Sequence, residues 1–475
     1  MSDALIAPIY ADILAIKSRV VARVAAPSIV EPADGATGVG ATPVLRGSAF
    51  RVSEGAIISD THLSSRWQVR LASGSWSTVL HDSGETYASL TEYAIPSGVV
   101  RENEQYAARV QYRGANLGWS EWSDDVVFTT KSQFASIIGL VQVATGGGAG
   151  QYQRIDENFS PVSRDASWFN NHPVYAGIVA QVVDGQRMVK IPRFYYRADT
   201  VPSGVYAGKT YWMISDQPVA GFSVHPAFIG AGGAQLDQIW VGGYQASYDG
   251  SSKMQSVAGA MPMVSMDFPT ARQRAYARNV GGVTGFREWS AYDLSVIQML
   301  MSIEIGGLDV QALIGQGRVS QSSAAAVDAA DVAQASWRGI VGLWGNVWQM
   351  VDGLKRNGGT WWRWQYNAPG SATPGDFTTG YINTGVPALS TSGYPVTFDA
   401  TMLATAGLFV PATVDGTASN GSTGDYFWSN TSTDDRVLYH GGNWGSGATA
   451  GLFCAGADYA PSDANSYIGA RLAKA

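Results

Sequence analysis

Cysteine is nearly absent from this chain of 475 residues, in which Cys454 stands alone. One thiol cannot form an internal disulfide, so a disulfide-stapled secreted fold is excluded. Charged residues are also scarce, at 15% of the chain, and they give a net charge of −7 from 31 basic and 38 acidic side chains. Because no basic run or basic-aromatic patch stands out, the composition argues against nucleic acid as a partner.

Long apolar runs are missing as well. No stretch of about 18 apolar residues exists to span a membrane, and residues 1–26 lack the basic start and apolar run of a secretory signal. We therefore expect synthesis in the cytoplasm, no membrane insertion, and exit by a route such as lysis if the protein acts outside. Aromatic residues, in contrast, are abundant, with 16 Trp and 22 Tyr, and adhesive surfaces favour both types.

The first segment, residues 1–26, is predicted to be a helix for attachment or trimerisation. Its apolar residues follow the alternating spacing of three and four that marks a coiled-coil seam: Ile6, Ile9, Ile13, Ile16 and Val20. β-Branched residues at both seam positions favour three or more strands, so a homotrimer is expected. The alternative is an amphipathic helix that lies on a neighbouring domain or on another protein.

The second segment, residues 27–131, has the short alternating runs and turn residues of an all-β module. Trp67 begins an alternating run that would bury it in a central strand, and Tyr106 stands where a sandwich has its tyrosine corner. The run Gly118-Trp-Ser-Glu-Trp-Ser123 resembles the last strand of a fibronectin type III domain. That resemblance implies a spacer or docking module without chemistry of its own.

The third segment, residues 132–475, begins with predicted strands, continues with two predicted helices and ends in a long stretch rich in Gly, Ser, Thr and Trp. We expect Thr270 to cap a first helix over 271–279. A second helix over about 289–305 carries apolar residues at helical spacing, and Gly306-Gly307 ends it.

The last forty residues carry the most specific pattern, in which fixed Gly, Trp and Pro alternate with small polar and aromatic positions. They include Arg436-Val-Leu-Tyr-His-Gly-Gly-Asn-Trp444 and Ser462-Asp-Ala-Asn-Ser-Tyr-Ile-Gly-Ala-Arg-Leu472. This segment resembles the closing segment of C-type lectin-like domains, in the branch shared by formylglycine-generating enzymes and phage receptor-binding proteins. That branch includes the retroelement-diversified major tropism determinant proteins. The implied fold class is multidomain, with an N-terminal helix, an all-β sandwich and an α+β lectin-like domain.

A second motif, Gly345-Asn-Val-Trp-Gln-Met-Val-Asp-Gly353, is similar to the Gly-Asn-Val-Trp-Glu-Trp motif of the formylglycine-generating superfamily. In that family the Asn and Glu can hold calcium, but the Glu position here is Gln349, a neutral amide that suits a hard cation poorly. We therefore expect no metal, and a core role for Asn346 and Trp348. The two catalytic cysteines of that superfamily are replaced here, so we expect neither a cofactor nor an enzyme.

The resemblance also sorts the closing segment into framework and variable positions. The framework positions include Gly441, Gly442, Trp444 and Arg471, of which Arg471 is expected to pair with buried carbonyls or a carboxylate. The positions implied to contact a receptor are Ser446, Thr449, Cys454, Gly456, Asp458, Tyr459, Asp463, Asn465 and Tyr467. Several of these alternate, so they are expected to share an exposed face, with Tyr459 and Tyr467 as anchors. The alternative is that they are ordinary solvated loop residues.

A further aromatic cluster is Thr360-Trp-Trp-Arg-Trp-Gln-Tyr366, which fits either a sugar-stacking surface or a core strand. The resemblance of the closing segment implies a phage tail receptor-binding protein that sits in the virion tail with other tail proteins and binds a bacterial surface protein, pilus or glycan. Two alternatives remain at this stage, a structural tail-tip component and a glycan-processing tail enzyme.

Overall fold

Two compact units make up the chain, Met1–Ala135 and Ser136–Ala475. The computed structural model describes residues 22–40, 42–53, 59–96, 98–101, 103–131, 136–146, 150–369 and 376–475. These residues form mostly β-strands, with few helices. Within the described ranges, no helix has both the length and the apolar character needed to cross a membrane.

The first unit is built from two β-sheets in its described ranges. Its strands are β1 (Ile29–Glu31), β2 (Ala36–Val39), β3 (Val44–Gly47), β4 (His62–Leu71), β5 (His81–Asp82), β6 (Glu92–Ala94), β7 (Gln105–Gly114), β8 (Gly118–Trp119) and β9 (Val126–Thr130). One sheet has the order β1-β3-β6, and the other has the order β2-β9-β7-β4-β5 with β8 beside β7. Side chains from both sheets share one apolar core.

Two predicted core residues of this unit lie where the sequence placed them. Trp67 is fully buried on β4, as its alternating strand predicted. Tyr106 is also buried, and its hydroxyl accepts a hydrogen bond from the Arg101 N–H at 2.5 Å, which ties the start of β7 to the chain before it. This is the backbone contact that defines a tyrosine corner.

The predicted N-terminal helix is only partly within the described residues. Residues 1–21, which carry the whole isoleucine seam, lie outside them. For the last residues, 22–26, the prediction is wrong, because Val24 forms a β-bridge with Val52. Val24 is 2% exposed and belongs to the core of the first unit.

The second unit contains the remaining strands of the described ranges. They are β10 (Ile138–Ala144), β11 (Gln151–Ile155), β12 (Val179–Val183), β13 (Gln186–Pro192), β14 (Tyr195–Thr200), β15 (Thr210–Ser215), β16 (Ser223–Val224), β17 (Gln238–Gly242), β18 (Ser247–Tyr248), β19 (Met254–Gln255), β20 (Phe286–Glu288), β21 (Trp348–Asn357), β22 (Thr360–Trp364), β23 (Tyr381–Pro387), β24 (Tyr394–Phe398), β25 (Pro411–Asp415), β26 (Phe427–Trp428), β27 (Arg436–His440), β28 (Ala455–Gly456), β29 (Ile468–Gly469) and β30 (Leu472–Lys474). The larger sheets have the orders β11-β10-β15-β14-β16, β12-β13-β17-β30-β20 and β23-β22-β21-β27-β28-β26, with β29 beside β21, and β18-β19 and β24-β25 form two-stranded ribbons.

Six α-helices accompany these strands in the described ranges, and the longest of them is almost entirely buried. They are α1 (Ala166–Asn171), α2 (Pro173–Ala176), α3 (Phe268–Tyr276), α4 (Ala291–Ile305), α5 (Val310–Leu313) and α6 (Ala400–Ala406), with short 3₁₀ turns at Pro226–Phe228, Ala231–Gly233, Ala418–Asn420 and Gly447–Thr449. The second predicted helix corresponds to α4, which Ser290 caps with a capping box and Gly306 ends in the left-handed conformation. The expected Thr270 cap is wrong, because α3 begins earlier and its N-cap is Asp267.

Candidate functional site

The closing segment, here residues 436–474, is anchored in two different sheets. It begins with β27, which pairs antiparallel with β21, and β29 pairs parallel with the start of β21. Its last strand, β30, lies between β17 and β20 in another sheet. The loops between these strands are therefore held at both ends by the core of the unit.

Arg471 fixes the end of this segment from inside. Its guanidinium donates to the carbonyl oxygens of Gly242, Val341 and Gly342 at 2.7–2.8 Å and to Gln349 Oε1 at 2.7 Å. The side chain is completely buried, and burial lowers the pKa of Arg471 to about 9. The sequence predicted either buried carbonyls or a carboxylate as the partner of Arg471, and in the structure its guanidinium binds carbonyl oxygens.

The motif around Asn346 is part of the core, as the sequence predicted: Asn346 and Trp348 are both buried. Asn346 has a positive φ of 63°, and its amide donates to Gln245 Oε1 at 2.8 Å and accepts from the Ala325 N–H at 2.8 Å. Gln349 Nε2 donates to the carbonyl of Gly342 at 3.1 Å. Over the described ranges, no group of three or more His, Cys, Asp or Glu side chains is placed to hold a metal ion.

Two of the nine predicted contact residues are not on an exposed face, and that expectation is corrected here. Cys454 is completely buried, so its thiol offers no contact area. Gly456 is also buried, and a Cβ there would lie 2.6 Å from Cε2 of Tyr439 and against Cζ and Oη of the same ring. The reason is that the Tyr439 side chain crosses directly over Gly456, which leaves room only for hydrogen.

Ser446 and Thr449 are half-buried and hold the turn that precedes β28. Ser446 Oγ accepts a hydrogen bond from the Asn443 N–H at 2.9 Å. Thr449 Oγ1 donates to the Ser446 carbonyl at 2.7 Å. Both hydroxyls thus have a local structural role, although neither residue is buried.

The other five predicted residues lie on or near the loop between β28 and β29, and all are half-buried or exposed. Tyr459 and Tyr467 share a hydrogen bond between their hydroxyls at 2.8 Å. Asp458 accepts a hydrogen bond from the Tyr439 hydroxyl, and Asp463 Oδ2 accepts from the Ala460 N–H at 2.8 Å. The fifth residue, Asn465, is half-buried, and its backbone carbonyl accepts a hydrogen bond from the Ser265 N–H at 3.0 Å.

Seven aromatic residues form a continuous row through this region, and we call them the aromatic file. In spatial order they are Tyr394, Tyr426, Trp428, Trp348, Tyr439, Tyr459 and Tyr467. Neighbouring ring centroids in the first six are 4.6–5.2 Å apart, and the hydroxyl pair adds the seventh. Trp348 and Tyr439 are buried in the middle, whereas the other five are half-buried.

Sequence reasoning singled out four members of the aromatic file, Trp348, Tyr439, Tyr459 and Tyr467, but not that they form one row. Trp348 and Tyr439 are in motifs that the sequence singled out, but nothing local says that β21 and β27 pair with Met350 opposite Tyr439. Tyr394, Tyr426 and Trp428 lie outside these motifs. For these three, the only sequence signal was the high content of Trp and Tyr, which does not locate a site.

The tryptophan cluster at residues 360–366 belongs mainly to the core. Trp361 and Trp364 are 1% and 0% exposed, so the interpretation as a core strand is confirmed for them and the sugar-stacking alternative fails. Three buried histidines also lie in this unit, His172, His225 and His440, and the pKa values of the last two are shifted. Burial lowers the pKa of His225 to about 3 and that of His440 to about 4, so both are neutral at pH 7.

Comparison with known proteins does not assign the chain to a family. No protein-family model matches the chain, and no curated protein matches it. Among solved structures, the Major Tropism Determinant P3c variant aligns over 78% of this chain and 80% of its own length, with 11% identity and a TM-score of 0.26.

Two other solved structures are similar over smaller parts. The FN1–FN3 domains of chicken CNTN1 align over 46% of this chain and 91% of their own length, with 10% identity and a TM-score of 0.15. An α-L-rhamnosidase from Streptomyces avermitilis aligns over 46% of this chain with 16% identity and a TM-score of 0.19, and the chain spans only 23% of that enzyme. No activity follows from likenesses at these TM-scores.

Proposed function

We propose that this chain is a non-enzymatic receptor-binding protein of a phage tail. In this proposal the unit Ser136–Ala475 is a lectin-like domain that attaches the virion to a bacterial surface ligand. The first unit is a fibronectin III-like spacer, and residues 1–26 attach or trimerise the protein beside other tail proteins. The protein is made in the host cytoplasm and acts in the virion.

One observation carries this proposal. The loop between β28 and β29 presents Tyr459 and Tyr467 half-exposed at the surface, while the strands on both sides of it are held in the core. Rigid support beneath adaptable tyrosine and aspartate side chains is what binding loops need, because little conformational freedom is then lost on contact. A trimer would present three such loops, and multivalency raises avidity by roughly 10²–10⁴ when the sites engage together.

The test is binding of the purified full chain to candidate bacterial host cells, beside a Tyr459→Ala/Tyr467→Ala double variant. Truncation of an anchoring tyrosine at an interface costs about 2 kcal/mol or more, so we expect binding to fall at least tenfold. A matched control is Tyr87→Ala/Tyr248→Ala, which removes two exposed tyrosines outside the closing segment. The control is expected to bind like the wild type.

Two results would contradict the proposal. If the wild type binds no candidate cells even as a forced trimer, the structural tail-tip alternative takes its place. If the double variant binds as well as the wild type while both keep their fold, the closing segment is not the contact surface.

A further inference from the structure

The aromatic file joins the two ends of the predicted contact set. Tyr426 donates its N–H to the Thr449 carbonyl at 3.0 Å, at the turn that holds Ser446. At the other end, the Tyr459 ring stacks on Tyr439 with an interplanar angle of 22°. Between these ends, β26 and β28 run parallel with Trp428 opposite Gly456, so Trp428 lies beside the closing segment although it precedes it in the chain.

The half-buried members of the file are held in place by their neighbours before any ligand arrives. Tyr426 and Trp428 contact each other with centroids 4.6 Å apart, and Trp428 meets Trp348 edge to face at 5.2 Å. Tyr394 packs edge to face on Tyr426 at 4.9 Å. Half-exposed rings whose rotamers are fixed in this way lose little entropy on binding.

The polar groups around the file indicate the chemistry of its partner. Asp458 lies in direct contact with the file through the Tyr439 hydroxyl, and Asp463 is exposed on the same loop as Tyr459. Two carboxylates at this end repel an anionic ligand. Carboxylate, amide and tyrosine hydroxyl groups beside aromatic rings instead match a pyranose, which has apolar C–H faces and a rim of hydroxyl donors and acceptors.

We propose that the five half-buried members of the aromatic file, on either side of the buried Trp348 and Tyr439, form an extended binding surface for a neutral glycan chain, so that Tyr394, Tyr426 and Trp428 belong to the receptor site although they lie outside the closing segment. This inference rests on the proposed function, and it adds both the class of ligand and a further part of the surface. Sugar rings would stack along the half-exposed aromatics, with Asp458 and Asp463 accepting hydrogen bonds from their hydroxyls.

The experiment uses the full chain and host cells to which the wild type binds. Cells are treated with periodate, which cleaves vicinal diols, or with a protease, and polysaccharide extracted from the same cells is immobilised as a second probe. We expect periodate to abolish binding, protease to leave it unchanged, and the extracted polysaccharide to retain the protein.

Variants then test the extent of the surface. Tyr426→Ala, just before β26, and Tyr394→Ala, on β24, are each expected to weaken binding to cells and to polysaccharide at least tenfold. Trp362→Ala is the matched control, because Trp362 is half-buried and outside the file, and it is expected to bind normally. Resistance of the buried Cys454 thiol to a labelling reagent shows that each variant is folded. If Tyr426→Ala loses this resistance, Tyr394→Ala provides the test.

The outcomes separate this inference from the proposed function. If Tyr459→Ala/Tyr467→Ala loses binding but the folded Tyr394 and Tyr426 variants do not, the receptor site ends with the closing segment and the extended surface is refuted. If protease rather than periodate abolishes binding, the ligand is a protein and the glycan assignment is refuted, while the proposed function stands. If the wild type binds no cells, both fail together.

Discussion

The Gly456→Ala substitution tests how the closing segment is built. The added Cβ would lie 2.6 Å from Cε2 of Tyr439, closer than any ordinary contact. The ring cannot simply retreat, because it packs edge to face on Trp348 at 4.8 Å and stacks on Tyr459 at 4.9 Å. Overpacking of this kind costs about 1–3 kcal/mol, which lowers the ratio of folded to unfolded protein by roughly 5- to 150-fold.

Cys454 supplies the assay. It is the only cysteine in the sequence, it is completely buried, and it lies two residues before Gly456. Its thiol therefore reacts with a labelling reagent only when the second unit opens, and the first unit does not contribute to the signal. We expect Gly456→Ala to become labelled at a lower urea concentration than the wild type.

A double-mutant cycle identifies the clash as the cause. Tyr439→Ala alone removes a large buried ring, which costs about 3–5 kcal/mol. With the ring gone, adding Gly456→Ala is expected to cost less than about 0.5 kcal/mol, because nothing remains for the methyl group to meet. Equal costs of Gly456→Ala in the two backgrounds, or an unchanged urea midpoint in the single variant, would refute the reasoning and restore position 456 as a candidate contact residue.

Three further predictions follow from buried or stacked charges. Arg471→Met removes four hydrogen bonds to buried acceptors, at about 1 kcal/mol each or more, so the second unit should lose its resistance to limited proteolysis; a protease-resistant variant would contradict this. Burial, and secondarily the Asp352 charge, raise the pKa of Glu288 well above its usual 4.5. Above pH 4.5, Glu288 is therefore ionised in the unfolded chain but still protonated in the fold. The folded state loses stability as pH rises from 4.5 to the folded pKa. Glu288→Gln should therefore be more stable than the wild type at pH 7 in the thiol-labelling assay, with the advantage vanishing below about pH 4.5; a pH-independent difference would show that folding does not change the pKa of Glu288 and would refute the reasoning. Arg109 lies 4.0 Å and 4.2 Å over the rings of Trp76 and Trp122, so Arg109→Leu should destabilise the first unit by about 1–3 kcal/mol in a fluorescence-detected urea titration while Cys454 protection stays unchanged; a loss of that protection would mean that the two units unfold together.

Elements with a strong local pattern were predictable from the sequence. Helix α4 carries its apolar residues at helical spacing, with a Ser cap before it and Gly306 after it, and its observed bounds agree with the prediction to within two residues. Trp67 was placed in the core by alternation and Tyr106 by its tyrosine-corner position, and both are buried. The cap of α3 was missed because Thr270 and Asp267 are both good capping residues, and the choice depended on where the helix packs.

The candidate site was only partly predictable. Asp458, Tyr459 and Tyr467 are half-buried loop residues, as a contact surface requires. Alternation along a strand cannot predict, however, which of its two faces other side chains cover. In the fold, Tyr439 covers Gly456, and Cys454 is enclosed in the core. Both facts depend on the register between β27 and β28, which pairs Tyr439 with Gly456.

The sequence by itself determined helix α4, the core positions of the first unit and the absence of an internal disulfide, because these follow from spacing and residue chemistry over a few positions. Only the tertiary structure decided that Arg471 reaches the carbonyls of Gly242 and Val341, and that Tyr394 joins Tyr467 in one aromatic file. Such contacts link residues far apart in the chain through strand order and register, and no local periodicity encodes either.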